Sequence, residues 1–437
     1  MEALGQVLRA GRDAALGLLP APPLDAAGWA AAVAQAARTP RLPAAAVEVL
    51  ARRQLALSGS LRAAENARLL GDPVAGAVVI VTGQQPALWG GPLLTFHKAA
   101  GAVALASRVA AWTGAPVVPV FWLASEDHDL DEANQATLLD RDGQARQLSL
   151  PLKADRRSLA DLNPPATVTD ALAAELASLL PDTPRAREAY ELVVRRADEP
   201  FAAWSARILA TVLAETGLVV LEPREIAPWL GPAFADLARR GPAITAAVRA
   251  AATELRVAGF SAPLEPRAHD LPLFVRAQAG GPRSRLSVDP SSGQALRDGR
   301  PWGGSLEQLA QRLEAEPLLA SPDVSGRVLL QNAILPVLAY LAGPTELAYH
   351  AQLGAAHRAV GQRFPLALPR PSAVWVDTRS EESAGAFGRS LEEVLDGAAP
   401  VRGAGDPEVA AFLGEVGAAL EAQRRRADLA QERRHLG

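Results

Sequence analysis

Four ionisable residues in a row, Glu126-Asp127-His128-Asp129, directly follow an apolar run that ends in Phe121-Trp122-Leu123-Ala124-Ser125. A histidine among three carboxylates can move a proton, hold an amine, contact a ribose or offset charge on a phosphate. In extended geometry Glu126 and His128 point one way and Asp127 and Asp129 the other. The four therefore do not converge on one ion, and no complete metal site is expected from them. Trp122 and Ser125 flank the burst and join it as candidate ligand contacts. The plainer reading is an acidic surface turn.

A second cluster lies upstream, in Thr82-Gly83-Gln84-Gln85-Pro86-Ala87-Leu88-Trp89-Gly90-Gly91-Pro92. A glycine-rich loop between a strand and a helix offers free backbone N–H groups and a positive helix end to an anion. Gly83, Gly90 and Gly91 allow close approach of the backbone, while Gln84 and Gln85 supply amide groups. The spacing is neither a Gly-Lys-Ser/Thr phosphate loop nor a dinucleotide fingerprint. A tight turn that binds nothing is the alternative. His97 and Lys98 follow about one turn into the helix, where a cation can face a phosphate or carboxylate held by the loop. A third cluster runs from Gln331 to Gln352 and holds Tyr340, Gly343, Pro344, Glu346 and Tyr349. Glu346 and Tyr349 share a helix face at i, i+3, with Gln352 less closely aligned. Two of the three tyrosines in the chain lie here. Core packing with a polar cap is the competing reading.

The elements that must position these groups read as α/β. Residues 1–75 look helical, with apolar stripes at Leu4, Val7 and Leu8 and at Val47, Leu50 and Leu57. Gly71-Asp72-Pro73 breaks the helix before Val78-Val79-Ile80-Val81, an apolar run suited to a buried parallel strand. Pro92 suits the first position of a helix, whose core face is expected at Leu93, Phe96, Ala100 and Val103. Gly114 ends that helix, and Pro116–Trp122 supplies the next strand, completing a βαβ unit. Open α/β sheets bind ligands beyond the carboxyl ends of their strands. The first two clusters fall at two such ends. Further strands are expected at Leu218–Leu221, Leu273–Val275, Arg285–Val288 and Ala373–Val376, and helices again over the last ~60 residues.

Composition bounds the chemistry. The 437 residues exceed what one core usually holds, and 49% are hydrophobic. The net charge of -4 gives no overall pull toward nucleic acid or membrane. No long apolar run and no signal-peptide pattern are visible, so a cytoplasmic protein is expected. The absence of cysteine excludes disulfides, zinc thiolates and an enzyme thioester. All but two of the 44 basic residues are arginine, the lysines being Lys98 and Lys153. The arginines near the C-terminus (Arg424-Arg425-Arg426, Arg433-Arg434) read as a solvated helix face.

Three motifs together resemble a known family, the cysteine-adding enzymes of bacillithiol biosynthesis. They are Ile80–Pro86 running on to Gly90-Gly91-Pro92, Phe121–Asp129, and Gly343-Pro344-Thr345-Glu346-Leu347-Ala348-Tyr349. The likeness covers about residues 45–380. It implies a Rossmann-like parallel-sheet core related to class I aminoacyl-tRNA synthetases, with inserted connective segments and helical N- and C-terminal regions. The expected division is 1–75 helical, 76–370 core with insertions at about 130–215 and 231–330, and 371–437 a C-terminal strand and helical region. In the family that last region is a longer coiled coil that mediates dimerisation. The family's Gly-Gly-Pro-Gly-Glu stands here as Ala342-Gly343-Pro344-Thr345-Glu346.

The resemblance implies a ligase that joins cysteine to glucosaminyl-malate through an amide bond, with ATP and Mg as the expected means of activating the carboxyl. It places Thr82, Gly83, Gln84, Gln85, Gly90, Gly91 and Pro92 on nucleotide or carboxylate oxygens. Lys98 and His128 would offset developing phosphate charge, and Asp127 or Asp129 would hold an amine or act as base. Trp122, Ser125, Glu126, Tyr340, Gly343, Pro344, Glu346 and Tyr349 would contact the sugar or amino-acid portion. The lysine-rich loop common in synthetase-like adenylation has no counterpart. A nucleotidyltransferase-like enzyme with another acceptor, or a noncatalytic nucleotide-binding scaffold, are the alternatives.

Overall fold

The computed structural model describes residues 18–371 apart from Ala154, with the single positions 376, 385 and 390. The chain divides between Ser372 and Ala373 into two compact units, and residues 18–371 belong to the first. The N-terminal stripe at Leu4, Val7 and Leu8, most of the strand expected over Ala373–Val376, and the C-terminal helices and basic tail lie outside the described residues.

Three helices open the unit, α1 (Ala26–Ala36), α2 (Ala44–Ser58) and α3 (Leu61–Leu69). Then come β1 (Val78–Gln84), α4 (Leu93–Thr113) and β2 (Val117–Leu123), the βαβ unit read from the sequence. Both strands pair in parallel along their whole length, from Val78 opposite Val117 to Gln84 opposite Leu123. Their apolar runs are continuous because helices cover both faces of the sheet.

The helix α4 turns a different face to the core than expected. Its buried residues are Thr95, Lys98, Ala99, Gly101, Ala102, Ala106 and Val109, while Leu93 and Ala100 are exposed and Phe96 and Val103 half-buried. Small side chains let the helix lie close to its neighbours. A Cβ on Gly101 would stand 2.7 Å from Pro371 Cδ, a distance no real contact tolerates. Pro92 is the N-cap, one position earlier than expected, a difference within the usual spread of helix ends.

After β2 the chain forms a short α5 (Leu130–Ala133) and a hairpin of β3 (Gln135–Leu139) and β4 (Ala145–Ser149). It continues through α6 (Ala166–Leu179), α7 (Pro184–Val193) and α8 (Phe201–Val212). A separate core of Leu148, Leu150, Leu159, Leu172, Phe201 and Trp204 holds this insert together. The third parallel strand, β5 (Val219–Leu221), joins β2, and α9 (Gly231–Val257) follows.

The stretch read as helices mixed with strand-like pieces folds as a second sheet. Strands β6 (Asp270–Val275), β7 (Ser284–Val288), β8 (Gln294–Arg297), β9 (Arg300–Ser305) and β10 (Ala320–Pro322) pair antiparallel in the order β10-β6-β7-β8-β9. Strands β8 and β9 are largely exposed or half-buried, so they lack the apolar runs that betray a buried strand. The β8–β9 hairpin turns at Asp298-Gly299, whose φ values of 48° and 78° suit a two-residue hairpin turn. Helix α10 (Leu306–Ala315) lies between β9 and β10 in the chain.

Helix α11 (Val324–Ile334), strand β11 (Val337–Ala342), helix α12 (Pro344–Ala359) and strand β12 (Leu366–Pro369) complete the unit. The parallel sheet runs β12-β11-β1-β2-β5. The chain builds outward from β1 to β5, then returns to the other side of β1. That reversal makes the carboxyl ends of β1 and β11 the topological switch point, where open α/β sheets form their ligand crevice.

Candidate active site

At the switch point the two neighbouring strands are tied by Thr82, whose buried hydroxyl donates to Leu341 O at 2.9 Å. Thr82 is thus committed to the sheet. One residue on, a Cβ on Gly83 would lie 2.6 Å from Trp122 O, so only glycine fits beside β2. Lys98 reaches this point from the buried face of α4. Its Nζ donates to Gly83 O at 3.1 Å and Gln84 Oε1 at 3.0 Å, and pairs with Glu346 Oε2 at 2.7 Å. All three ammonium donors are occupied. Burial pulls the Lys98 pKa below its ordinary value, and Glu346 opposes the shift.

Glu346 lies in the first turn of α12. Its Oε2 also accepts the Gly343 N–H at 2.6 Å, closing the helix N-terminus, with Pro344 as first helical residue. Its Oε1 accepts from Tyr340 OH at 3.1 Å and Tyr349 OH at 3.4 Å. Arg327 on α11 donates to Tyr349 OH at 3.2 Å. Burial, with Glu346 beside them, pushes both tyrosine pKa values up and keeps the phenols neutral. The fully buried ring of His350 lies against both phenols, with centroid distances of 4.6 Å to Tyr340 and 5.1 Å to Tyr349. Neither ring nitrogen of His350 has a hydrogen-bond partner, and burial pushes its pKa down to about 3. Gln352 bonds both ways to the Leu264 backbone and is structural.

The acidic burst is a turn rather than an extended strand. Strand β2 stops at Leu123, and the Asp127 N–H bonds back to Ala124 O at 3.2 Å. The expected alternation therefore fails: Asp127 and His128 stand together, and Glu126 faces elsewhere. Asp127 Oδ1 accepts the His128 N–H at 2.7 Å and lies 3.6 Å from Arg283 Nη1. Asp129 is exposed and caps α5, its Oδ1 accepting the Glu132 N–H at 3.3 Å. Trp122 and Ser125, expected at the substrate, are fully buried in the protein, Ser125 beside Glu222.

Arg283, just before β7, organises the turn from the second sheet. It is almost fully buried and stacks over Phe274, with Cζ 4.3 Å from the ring centroid. Its Nε donates to Ser321 Oγ at 3.0 Å and its Nη2 to Pro322 O at 3.1 Å, leaving Nη1 2.9 Å from His128 Nδ1. Burial lowers its pKa to about 10, so it stays charged at neutral pH. Glu126 lies in a small groove lined also by Ser158, Asp161, Arg224 and Arg276. Burial pushes its carboxyl up to about 7 against the pull of Arg283 and Arg276.

The glycine loop is built as a turn. Gly90 N donates to Ala87 O at 3.0 Å and Gly91 N to Leu88 O at 3.1 Å. Their φ values of 84° and 87° require glycine. Those two N–H groups are consumed within the loop and are not offered to an anion. Gln84 binds Lys98, Gln85 is half-buried beside it, and Pro92 is exposed. Among the described residues, no group of three or more His, Asp or Glu side chains is placed to hold a metal ion.

Residues 25–371 match the family model described as "Bacillithiol biosynthesis BshC, N-terminal Rossmann-like domain". Curated relatives bear the name "Putative cysteine ligase BshC". That of Geobacillus thermodenitrificans is 31% identical over 326 residues, covering 74% of this chain and 60% of the relative. That of Symbiobacterium thermophilum is 33% identical over 356 residues, covering 75% and 61%. That of Heliobacterium modesticaldum is 31% identical over 335 residues, covering 73% and 58%. The chain thus spans about 60% of the length of these relatives. A parallel sheet with a polar network at its β1–β11 switch point, matched over nearly the whole described unit, places the chain in the bacillithiol biosynthesis BshC family.

Proposed function

We propose that this chain is a cytoplasmic cysteine ligase that forms the amide between the carboxyl of cysteine and the amine of glucosaminyl-malate. The observation that carries this reading is the Lys98–Glu346–Tyr340–Tyr349 network at the switch point of the parallel sheet. Lys98 and Glu346, bonded to each other and to the strand and helix ends around them, would form a fixed wall beside the amino acid, while the open hydrogen-bonding capacity lies on the Glu126–His128 turn. His128 would donate to the oxygen on which charge develops at the reacting carboxyl. Asp127, beside His128 on the same turn, would accept the proton that the attacking amine must lose.

A free carboxylate needs activation before an amine can displace its oxygen. ATP with Mg is the proposed means. The N–H groups of Gly90 and Gly91 are taken up by the loop itself, so the residues present do not form a phosphate cradle there, and no step is drawn through the nucleotide. Homodimerisation through the C-terminal helices belongs to the same proposal and is testable by sedimentation.

The test combines purified protein with cysteine, glucosaminyl-malate and ATP, with products read by mass spectrometry. Amide product accompanied by AMP is the expected result. Product with ADP keeps the ligase and replaces the adenylate by an acyl phosphate. No product, with nucleotide bound tightly, overturns the reading in favour of a scaffold.

A further inference from the structure

We infer that Arg283 is a positioning residue that fixes His128 as a neutral imidazole with its proton on Nε2. The argument starts from donor chemistry. A guanidinium has five N–H donors and no acceptor, so a contact of 2.9 Å between Arg283 Nη1 and His128 Nδ1 requires a lone pair on Nδ1. The proton of the neutral ring then sits on Nε2, which has no hydrogen-bond partner among the described residues.

The competing partner for Nδ1 is Asp127, which would favour a proton there. Its Oδ1 is 3.7 Å away, beyond hydrogen-bond reach, and already accepts the His128 N–H at 2.7 Å. Distance therefore decides for Arg283. The guanidinium cannot swing aside, because Ser321, the Pro322 carbonyl and the Phe274 ring hold its other faces.

The groups facing the ring from all sides are Arg283, Phe274 of β6 in an edge contact at 6.1 Å, Arg156, and the carboxylates of Asp127 and Asp129. Burial and the two arginines outweigh the two carboxylates and hold the His128 pKa below its ordinary value. The ring thus presents one N–H, without a net charge, near neutral pH. Such a group stabilises a developing oxyanion and is a poor proton acceptor, which separates its task from that of a base. That consequence for turnover rests on the proposed ligase reaction, whereas the tautomer does not.

The experiment is ring nitrogen NMR on the full chain labelled with 15N-histidine, with the His128 signal assigned by its loss in His128→Gln. In the wild type near pH 8, Nδ1 should be unprotonated and Nε2 protonated, and the ring should take up its second proton with a midpoint below the ordinary ~6.5. A proton on Nδ1, a mixture of tautomers, or a midpoint near the ordinary ~6.5 overturns the inference. In Arg283→Met, Asp127 becomes the available partner, so the proton should shift toward Nδ1 and the midpoint should rise. Arg283→Lys, which also only donates, should restore the Nε2 proton in part. A folded Arg283→Met with the wild-type tautomer removes Arg283 from the account. If that variant does not fold, the wild-type spectrum still decides the tautomer. Inactivity of the wild type toward cysteine and glucosaminyl-malate would sink the ligase reading and leave the spectrum untouched.

Discussion

The two halves of the crevice are built on opposite principles. On the β1–β11 side the central ion pair is fully bonded: Lys98 uses all three donors, and Glu346 receives a lysine, a backbone N–H and two phenols. These groups sit on a strand and two helices. On the β2 side, Glu126, Asp127 and His128 sit on a turn, are partly exposed, and are steadied from the second sheet by Arg283. The difference teaches a division of labour. A saturated network on regular elements holds the strand and helix ends of the site in fixed register. Half-satisfied groups on a supported turn retain the open hydrogen-bonding capacity that chemistry needs.

The comparison breaks most visibly at Lys98. Lys98→Met leaves Glu346 buried without its cation, which should cost about 3–5 kcal/mol in urea unfolding. Lys98→Met with Glu346→Gln should recover part of that loss. A cost below about 1 kcal/mol would mean the pair is solvated and the closed half is not closed.

Next in size is the pH response of the closed half. His350 has a folded pKa of about 3, below the ~6.5 of an unfolded histidine, so the unfolded chain binds more protons between those values. Stability from keeping this ring neutral is present above about pH 6.5 and is lost as pH falls toward 3, at up to ~1.4 kcal/mol per unit. His357, pushed by burial to about 4, acts in the same direction. Glu126 and Glu225, both raised to about 7, act oppositely. The difference between wild type and His350→Phe in chemical unfolding across pH 4–7 isolates the His350 part, and equal slopes would refute it.

The smallest effects separate two residues that the sequence left interchangeable. Asp127→Asn removes the carboxylate facing Arg283 and should lower turnover about tenfold, or ~1.4 kcal/mol of barrier. Asp129→Ala loses only a cap, about 1 kcal/mol of stability at most for so short a helix, with turnover unchanged.

How much of this was legible follows from where each signal resides. The βαβ unit could be read because Val78–Val81 and the strand ending at Trp122 are apolar without interruption, the mark of a strand covered on both faces. Lys98 and Glu346 were visible as rare or clustered polar groups, although their mutual contact was not, since it depends on β11 returning beside β1. Arg283, Arg276 and Arg327 were missed. In a chain whose basic residues are nearly all arginine, no single arginine stands out, and the contacts that position Arg283 come from two strands far apart in the chain, β6 and β10. The alternation expected for Glu126–Asp129 failed because the backbone turns at Ala124, and side-chain direction follows backbone geometry rather than spacing.

The central claim is that the turn reacts while the closed network positions, and His128→Asn tests it most directly. Product formation by mass spectrometry and thermal unfolding would be measured on the same preparation. The account predicts a fall in turnover of about 10²–10³ with KM and melting temperature nearly unchanged. Turnover close to wild type in a folded His128→Asn protein would contradict it.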